Sequence, residues 1–213
     1  MRIARQFLAG LLAVCAATAA TAQPRALADF YTEVDDLRAD FEQVQVDADG
    51  EVLQSAAGIF LLDRPDRFRW EYREPYRQII VSDGSAFRFY DVDLAQVTVR
   101  AVDDTLRTTP AQLLAGGADL DQAFAMETLA GKGDDLTWVR LIPRADDSDF
   151  REIRMGLRSG RPVSLELDDQ LGQTTRIRFH DIRVNTGIDD GRFTLEVPED
   201  VDVVDARGSG NAP

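Results

Sequence analysis

Chemistry needs a proton carrier, a nucleophile or a set of metal ligands at workable spacing, and this chain offers few of each. Its one histidine, His180, stands in Arg176-Ile177-Arg178-Phe179-His180-Asp181, where strand alternation puts it opposite Ile177 and Phe179 and into solvent. A hydrolytic triad needs a histidine that passes a proton between a nucleophile and an orienting acid, and a solvated strand residue does not supply that. The one cysteine, Cys15, lies in an apolar leader, so the residues for a zinc or copper site are missing. Asp134-Asp135 and Asp146-Asp147-Ser148-Asp149 bring carboxylates together, as acid/base catalysis requires, but they fall where turns are expected and read as solvated loop tips. Asp47-Ala48-Asp49-Gly50-Glu51 lacks the continuing ligand spacing of a calcium loop. Glycine-rich phosphate cradles and a G-x-S-x-G elbow are absent. The expectation is a protein that is not an enzyme and takes no metal or other cofactor.

The leader itself has Arg2 and Arg5, an apolar run from Phe7 to Ala20, and Ala20-Thr21-Ala22 before Gln23. This is the pattern of a secretory signal peptide, residues 1–22, cut after Ala22. Val14 is too bulky for the position before an acylated cysteine, which argues against lipidation at Cys15. Cleavage removes two of the 24 basic residues and changes the formal net charge from −14 to −16. Such a chain repels nucleic acid and anionic lipid surfaces, and neither is expected as a partner. Lys132 is the only lysine; every other side-chain cation apart from His180 is an arginine, whose planar fork can hold several acceptors at once.

The elements that remain are mostly strands. Pro24 suits a first helical turn, and Leu27, Phe30 or Tyr31, Val34 and Leu37 recur at helical spacing. The period then becomes two. Strands are expected from Ala39 to Gln45, Glu51 to Leu62, Arg67 to Arg73, Arg77 to Ser82, Ser85 to Tyr90 and Ala95 to Val102. Thr109-Pro110-Ala111-Gln112-Leu113-Leu114-Ala115-Gly116-Gly117 is a short capped helix. Strands resume at Phe124 to Leu129, Leu136 to Ile142, Phe150 to Leu157, Pro162 to Leu167, Thr174 to Val184 and Arg192 to Val197. The fold class is mainly β: an incomplete antiparallel barrel of about 11–12 strands, with an N-terminal helix and short helices covering it. One domain is expected over residues 23–205, with a disordered tail at 206–213.

In Asp63-Arg64-Pro65-Asp66-Arg67-Phe68-Arg69-Trp70-Glu71-Tyr72, three aromatics fall on every second residue. Alternation sends Phe68, Trp70 and Tyr72 to one face, which Ile79 and Val81, Phe87 and Phe89, and Val97 and Val99 would extend over the next strands. A filled core is the ordinary outcome of such a surface. The helices available to cover it are few and short, so the other outcome is a cavity for an apolar ligand. Phe41 and, from the helical cover, Leu113 and Leu114 complete the expected cavity or rim.

Several of these residues recur together in a known pattern. Arg64-Pro65, Phe68-Arg69-Trp70, Pro75, Gln78, Ser82-Asp83-Gly84, Tyr90-Asp91, Gln96-Val97 and Thr109-Pro110 with Leu113-Leu114 resemble the outer-membrane lipoprotein carrier protein family, LolA. Phe41-x-Gln43, Asp169-x-Leu171-Gly172-Gln173-Thr174, Phe193, Pro198 and Val201-Asp202-Val203 extend the likeness over almost the whole exported chain. The resemblance implies a half-barrel closed by a helical lid over a hydrophobic cavity for lipoprotein acyl groups. It implies a periplasmic, monomeric chaperone that accepts acylated lipoproteins from an ATP-driven release complex in the inner membrane and passes them to an outer-membrane receptor. Arg64 would then be a lid latch, bonded to lid carbonyls, and Phe68 a position for cargo and partner engagement. Arg88 stands where the family usually has tryptophan. The alternatives within the fold are a lipid-anchored outer-membrane receptor and an exported lipid- or lipoprotein-sensing domain.

Overall fold

Alternating apolar and polar residues make strands wherever one face can be buried, and here they make a single twelve-stranded sheet. The computed structural model describes residues 24–101, 110–115, 120–129, 135–146 and 148–207. The leader with its cleavage site, Cys15, Thr109, the Gly116-Gly117 stop, Asp134, Asp147 and the tail from 208 lie outside the described residues. Helix α1 is Arg25–Glu33; strands β1 (Asp36–Val46), β2 (Val52–Asp63), β3 (Arg67–Glu74), β4 (Gln78–Asp83), β5 (Ala86–Asp91) and β6 (Gln96–Ala101) follow as a meander. Helices α2 (Pro110–Ala115) and α3 (Leu120–Ala123) lead into β7 (Phe124–Thr128), β8 (Thr137–Pro143), β9 (Phe150–Arg158), β10 (Arg161–Asp169) and β11 (Thr174–Val184); β12 (Asp202–Asp205) comes last.

The order across the sheet is β12-β6-β5-β4-β3-β2-β1-β11-β10-β9-β8-β7, so β11 returns to pair with β1 and the sheet stays open between β12 and β7. The barrel is incomplete, as expected. All neighbours are antiparallel except β12, which runs parallel to β6.

Two expectations fail at the ends of the chain. The N-terminal helix does not reach Leu37: Val34 turns extended at φ −109°, ψ 102°, and Leu37 belongs to β1. The residues from Arg192 to Val197 form no strand. A 3₁₀ turn at Asp190–Phe193 stands there, with the Asp189 carboxylate accepting from the Gly191 N–H at its start. Asp and Gly are poor strand residues, and a short side-chain cap offers the backbone an alternative.

A second correction concerns the faces of the sheet. Trp70 pairs with Phe60 on one side and Ile80 on the other, and Ile80 pairs with Phe89. Residues directly opposite share a face, so Phe41, Phe60, Phe68, Trp70, Ile80, Phe87 and Phe89 all belong to the concave cluster. Ile79 and Val81 pair with Glu71 and Arg69, and Val97 and Val99 with Tyr90 and Arg88. These four lie on the convex face and are not part of the expected cavity wall. Ile79, Val97 and Val99 form a second cluster with Ala86 and Tyr90, packed against Leu195 and Val201 of the C-terminal segment. Phe193, fully buried, lies under the Arg67 guanidinium at 5.5 Å on the same side. Arg88 also faces outward, donating to Asp83 at 2.5 Å.

The far half of the convex face carries a charged cluster beside the buried Trp138. There Arg154 donates to Glu166 at 2.7 Å, Glu152 at 2.9 Å and Asp168 at 3.0 Å. Burial works against its charge, but these carboxylates outweigh burial and raise its pKa further. Among the described residues no helix is long and apolar enough to cross a membrane.

Candidate functional site

The centre of the concave face is aromatic because four neighbouring strands, β11, β1, β2 and β3, each direct a large ring inward. Trp70 lies 4.8 Å from Phe41, 4.9 Å from Phe60 and 6.0 Å from Phe179, ring centre to ring centre. The Trp70 indole N–H is buried with no acceptor in good geometry among the described residues. The Tyr72 hydroxyl, close enough to interact with it, donates to Gln43 at 3.1 Å. Desolvation pushes the Tyr72 phenol up to about 12.

Two helices cover this surface. Pro24 accepts the first backbone bonds of α1, whose Leu27 and Phe30 are wholly buried. From α2 come Leu113 and Leu114, and both join the concave cluster with Phe68 and Phe87. The lid's own side chains, Leu27, Phe30, Leu113 and Leu114, pack onto the wall that the resemblance assigns to a cavity.

Arg64 sits between the two helices and the sheet. It occupies the β2–β3 turn, just before Pro65, and its backbone N–H donates to the Asp35 carbonyl at 2.9 Å. Its Nε donates to the Val34 carbonyl at 2.7 Å, at the end of α1, and Nη1 donates to the Ala115 carbonyl, at the end of α2. The guanidinium carbon lies 4.9 Å from the Phe30 ring centre and 4.8 Å from that of Tyr31, within cation–π range. Nη2 is buried without a partner among the described residues, and burial lowers the pKa of the group. The Tyr31 hydroxyl donates to the Leu113 carbonyl and so joins α1 to α2 directly; burial raises its pKa above the ordinary tyrosine value. Arg64 and Tyr31 thus fasten the cover, and both end on backbone carbonyls that a helix terminus leaves free.

An open cleft of about 280 Å³ lies at the opposite end of β3, where Tyr72, Ile80 and Phe89 reach the rim beside Gln43, Gln54 and Gln78. Sequence reasoning missed this cleft and missed Ile80. The signal available was Gln78, two residues from Ile80 on the same strand face.

Among the described residues no nucleophile–base pair stands at the trough. His180 is half-exposed on the convex side, where Asp40 and Asp181 place ligand atoms within 4.8 Å of it and of one another. Asp135, from one of the acidic clusters, pairs with Arg158 at 2.6 Å on the surface.

Residues 32–196 match the sequence profile described as outer membrane lipoprotein carrier protein LolA. An outer-membrane lipoprotein carrier protein from Halorhodospira halophila is 42% identical over 190 residues, covering 89% of this chain and 88% of its own length. One from Chromohalobacter salexigens is also 42% identical, over 193 residues, covering 90% and 91%. Among solved structures, an uncharacterized conserved protein from Thermus thermophilus has the same fold at a TM-score of 0.55 and 12% identity, covering 84% of this chain and 96% of its own. A covered half-barrel with this sequence kinship over nine-tenths of its length belongs to the LolA family of outer-membrane lipoprotein carrier proteins.

Proposed function

We propose that this protein carries acylated lipoproteins through the periplasm, sheltering their acyl chains on the concave face beneath α1 and α2, without catalysis. The observation that carries this reading is the cover: its apolar side chains pack onto the wall, yet its polar fastenings are a few side-chain-to-carbonyl bonds from Arg64, Tyr31 and Asn185. Magnitudes favour reversible exchange. Uncovering Leu27, Phe30, Leu113 and Leu114 costs about 1.5–3 kcal/mol each, roughly 6–12 kcal/mol in all. An acyl chain of about 14 methylenes gains on the order of 11 kcal/mol on leaving water. The two nearly balance, so cargo can displace the cover and the cover can displace cargo.

In this reading Arg64 is the latch, and Phe68, 2% exposed beneath α2 and 5.9 Å from the Phe87 ring, is wall that opens only with the lid. Cargo arrives from an ATP-driven release complex in the inner membrane and leaves to an outer-membrane receptor that grips it more tightly. Direction comes from that ladder of affinities. The test is to add the purified protein to spheroplasts and measure newly made lipoproteins in the soluble fraction. The account expects a soluble complex of carrier and lipoprotein; lipoproteins that stay with the membrane at every carrier concentration would overturn it.

A further inference from the structure

The open cleft at the end of β3 has a lining whose chemistry is selective. Resting on the acyl-carrier reading, we propose that it admits the neutral ester and amide linkages of an acylated lipoprotein and excludes the anionic head groups of phospholipids and fatty acids. Its apolar floor is Ile80, Phe89 and Tyr72, continuous with the trough under the lid. Its polar groups are the amides of Gln43, Gln54 and Gln78, the hydroxyls of Tyr72 and Tyr76, and the carboxylate of Glu74; among the described residues no lysine, arginine or histidine lines it. Asp91 stands behind Gln78 and accepts from its Nε2 at 3.1 Å. The neighbouring Arg73 points to the convex face, where it is tied to Glu71 at 3.3 Å.

A phosphate or carboxylate entering such a site loses hydration, finds no cation, and meets negative charge from Glu74 and Asp91. An ester or amide carbonyl needs only a neutral donor, which glutamine amides supply, and an amide N–H needs only their oxygens. Gln43 accepts the Tyr72 hydroxyl through Oε1, so its Nε2 end is the part it has to offer cargo. Both membranes a carrier visits hold anionic lipids with the same tails as its cargo. Recognition by tails alone would not tell them apart; a lining without cations does.

The experiment uses the exported chain from Gln23 and competes three probes against a fluorescent neutral acyl compound. These are a triacylated cysteinyl peptide with uncharged side chains and an amidated C-terminus, phosphatidylglycerol, and a fatty acid, all with matched tails. The expected result is at least tenfold tighter binding of the lipopeptide than of either anionic lipid, with the ratio narrowing several-fold in Glu74→Lys and in Gln54→Lys, both at exposed positions. Equal binding of all three by the unaltered protein, or an unchanged ratio in both variants, would overturn the selection while leaving the carrier reading intact. Failure to bind the lipopeptide at all would overturn both.

Discussion

Asn185 Nδ2 donates to the Glu33 carbonyl at 2.8 Å, across 152 residues of sequence. The same amide accepts from the Asp35 N–H at 2.8 Å through Oδ1. One side chain at the end of β11 therefore grips both sides of the joint where α1 becomes β1, while Arg64 holds Val34 between them. The far end of the cover is held differently, through Ala115 and Leu113. In the proposed carrier reading, this asymmetry makes the Val34–Asp35 joint the hinge about which α1 opens.

Asn185→Gly keeps the left-handed backbone, which Asn185 adopts at φ 55°, and removes only the grip. It should cost about 1–2 kcal/mol, the net value of the two side-chain hydrogen bonds lost. Asn185→Ala should cost more, by about 1 kcal/mol, because alanine adds left-handed strain. Urea midpoints of the two variants measure the difference.

Arg64→Leu removes the bonds to Val34 and Ala115 while keeping an apolar stem between Phe30 and Tyr31. Charge-assisted bonds contribute about 1.5–3 kcal/mol each, but the partnerless Nη2 offsets part of that, so about 2 kcal/mol of local stability should go. Hydrogen exchange should quicken by more than tenfold in residues 27–34 and stay unchanged in β9 and β10. Arg64→Lys should resemble the leucine variant, because an ammonium cannot span two carbonyls in a planar fork.

Tyr31 and Tyr72 give the protein an alkaline limit. Each folded-state pKa is raised above the ordinary value of about 10, to about 12 for Tyr72, by burial. A raised pKa means that the protonated group stabilises the fold fully below pH ~10 and that this contribution falls as pH rises toward 12. Thermal melts should therefore hold steady from pH 8 to about 10 and drop beyond it. Tyr72→Phe should flatten that drop, and it should leave acid unfolding untouched.

Gly58 sits between Phe41 and Tyr72 at a register shift in β2. A Cβ there would meet the Glu71 carbonyl oxygen at 2.0 Å and Phe41 Cε1 at 2.9 Å. Backbone cannot yield as a side-chain tip does, so Gly58→Ala should destabilise by about 3 kcal/mol, read from its urea midpoint.

Strands β1 to β11 were legible in the sequence because period-two patterning is local: Thr174–Val184 falls where its alternation and flanking turns put it, whereas the last strand was expected at Arg192 to Val197 and lies at Asp202–Asp205. The concave aromatics Phe68, Trp70, Phe87 and Phe89 were legible for the same reason. Which face of β4 meets them was not. The turn at Pro75 sets whether Trp70 pairs with Ile79 or Ile80, and one residue of register exchanges the faces of β4. Ile79, Val81, Val97 and Val99 are as apolar as any wall residue, but the C-terminal segment that covers three of them, through Leu195 and Val201, lies about a hundred residues away in sequence. Arg64 carries no local sign of its two carbonyl partners either; family likeness pointed to a latch, and the geometry supplies its bonds.

The central claim is that acyl chains lie against the concave wall once the cover lifts. A lipopeptide with a photoreactive diazirine at the end of one acyl chain, crosslinked to the protein and mapped by mass spectrometry, tests it most directly. The account predicts labels on Leu62, Phe68, Trp70 and Leu114. Labels confined to Ile79, Val97 and Leu195, or spread evenly over the surface, would contradict it.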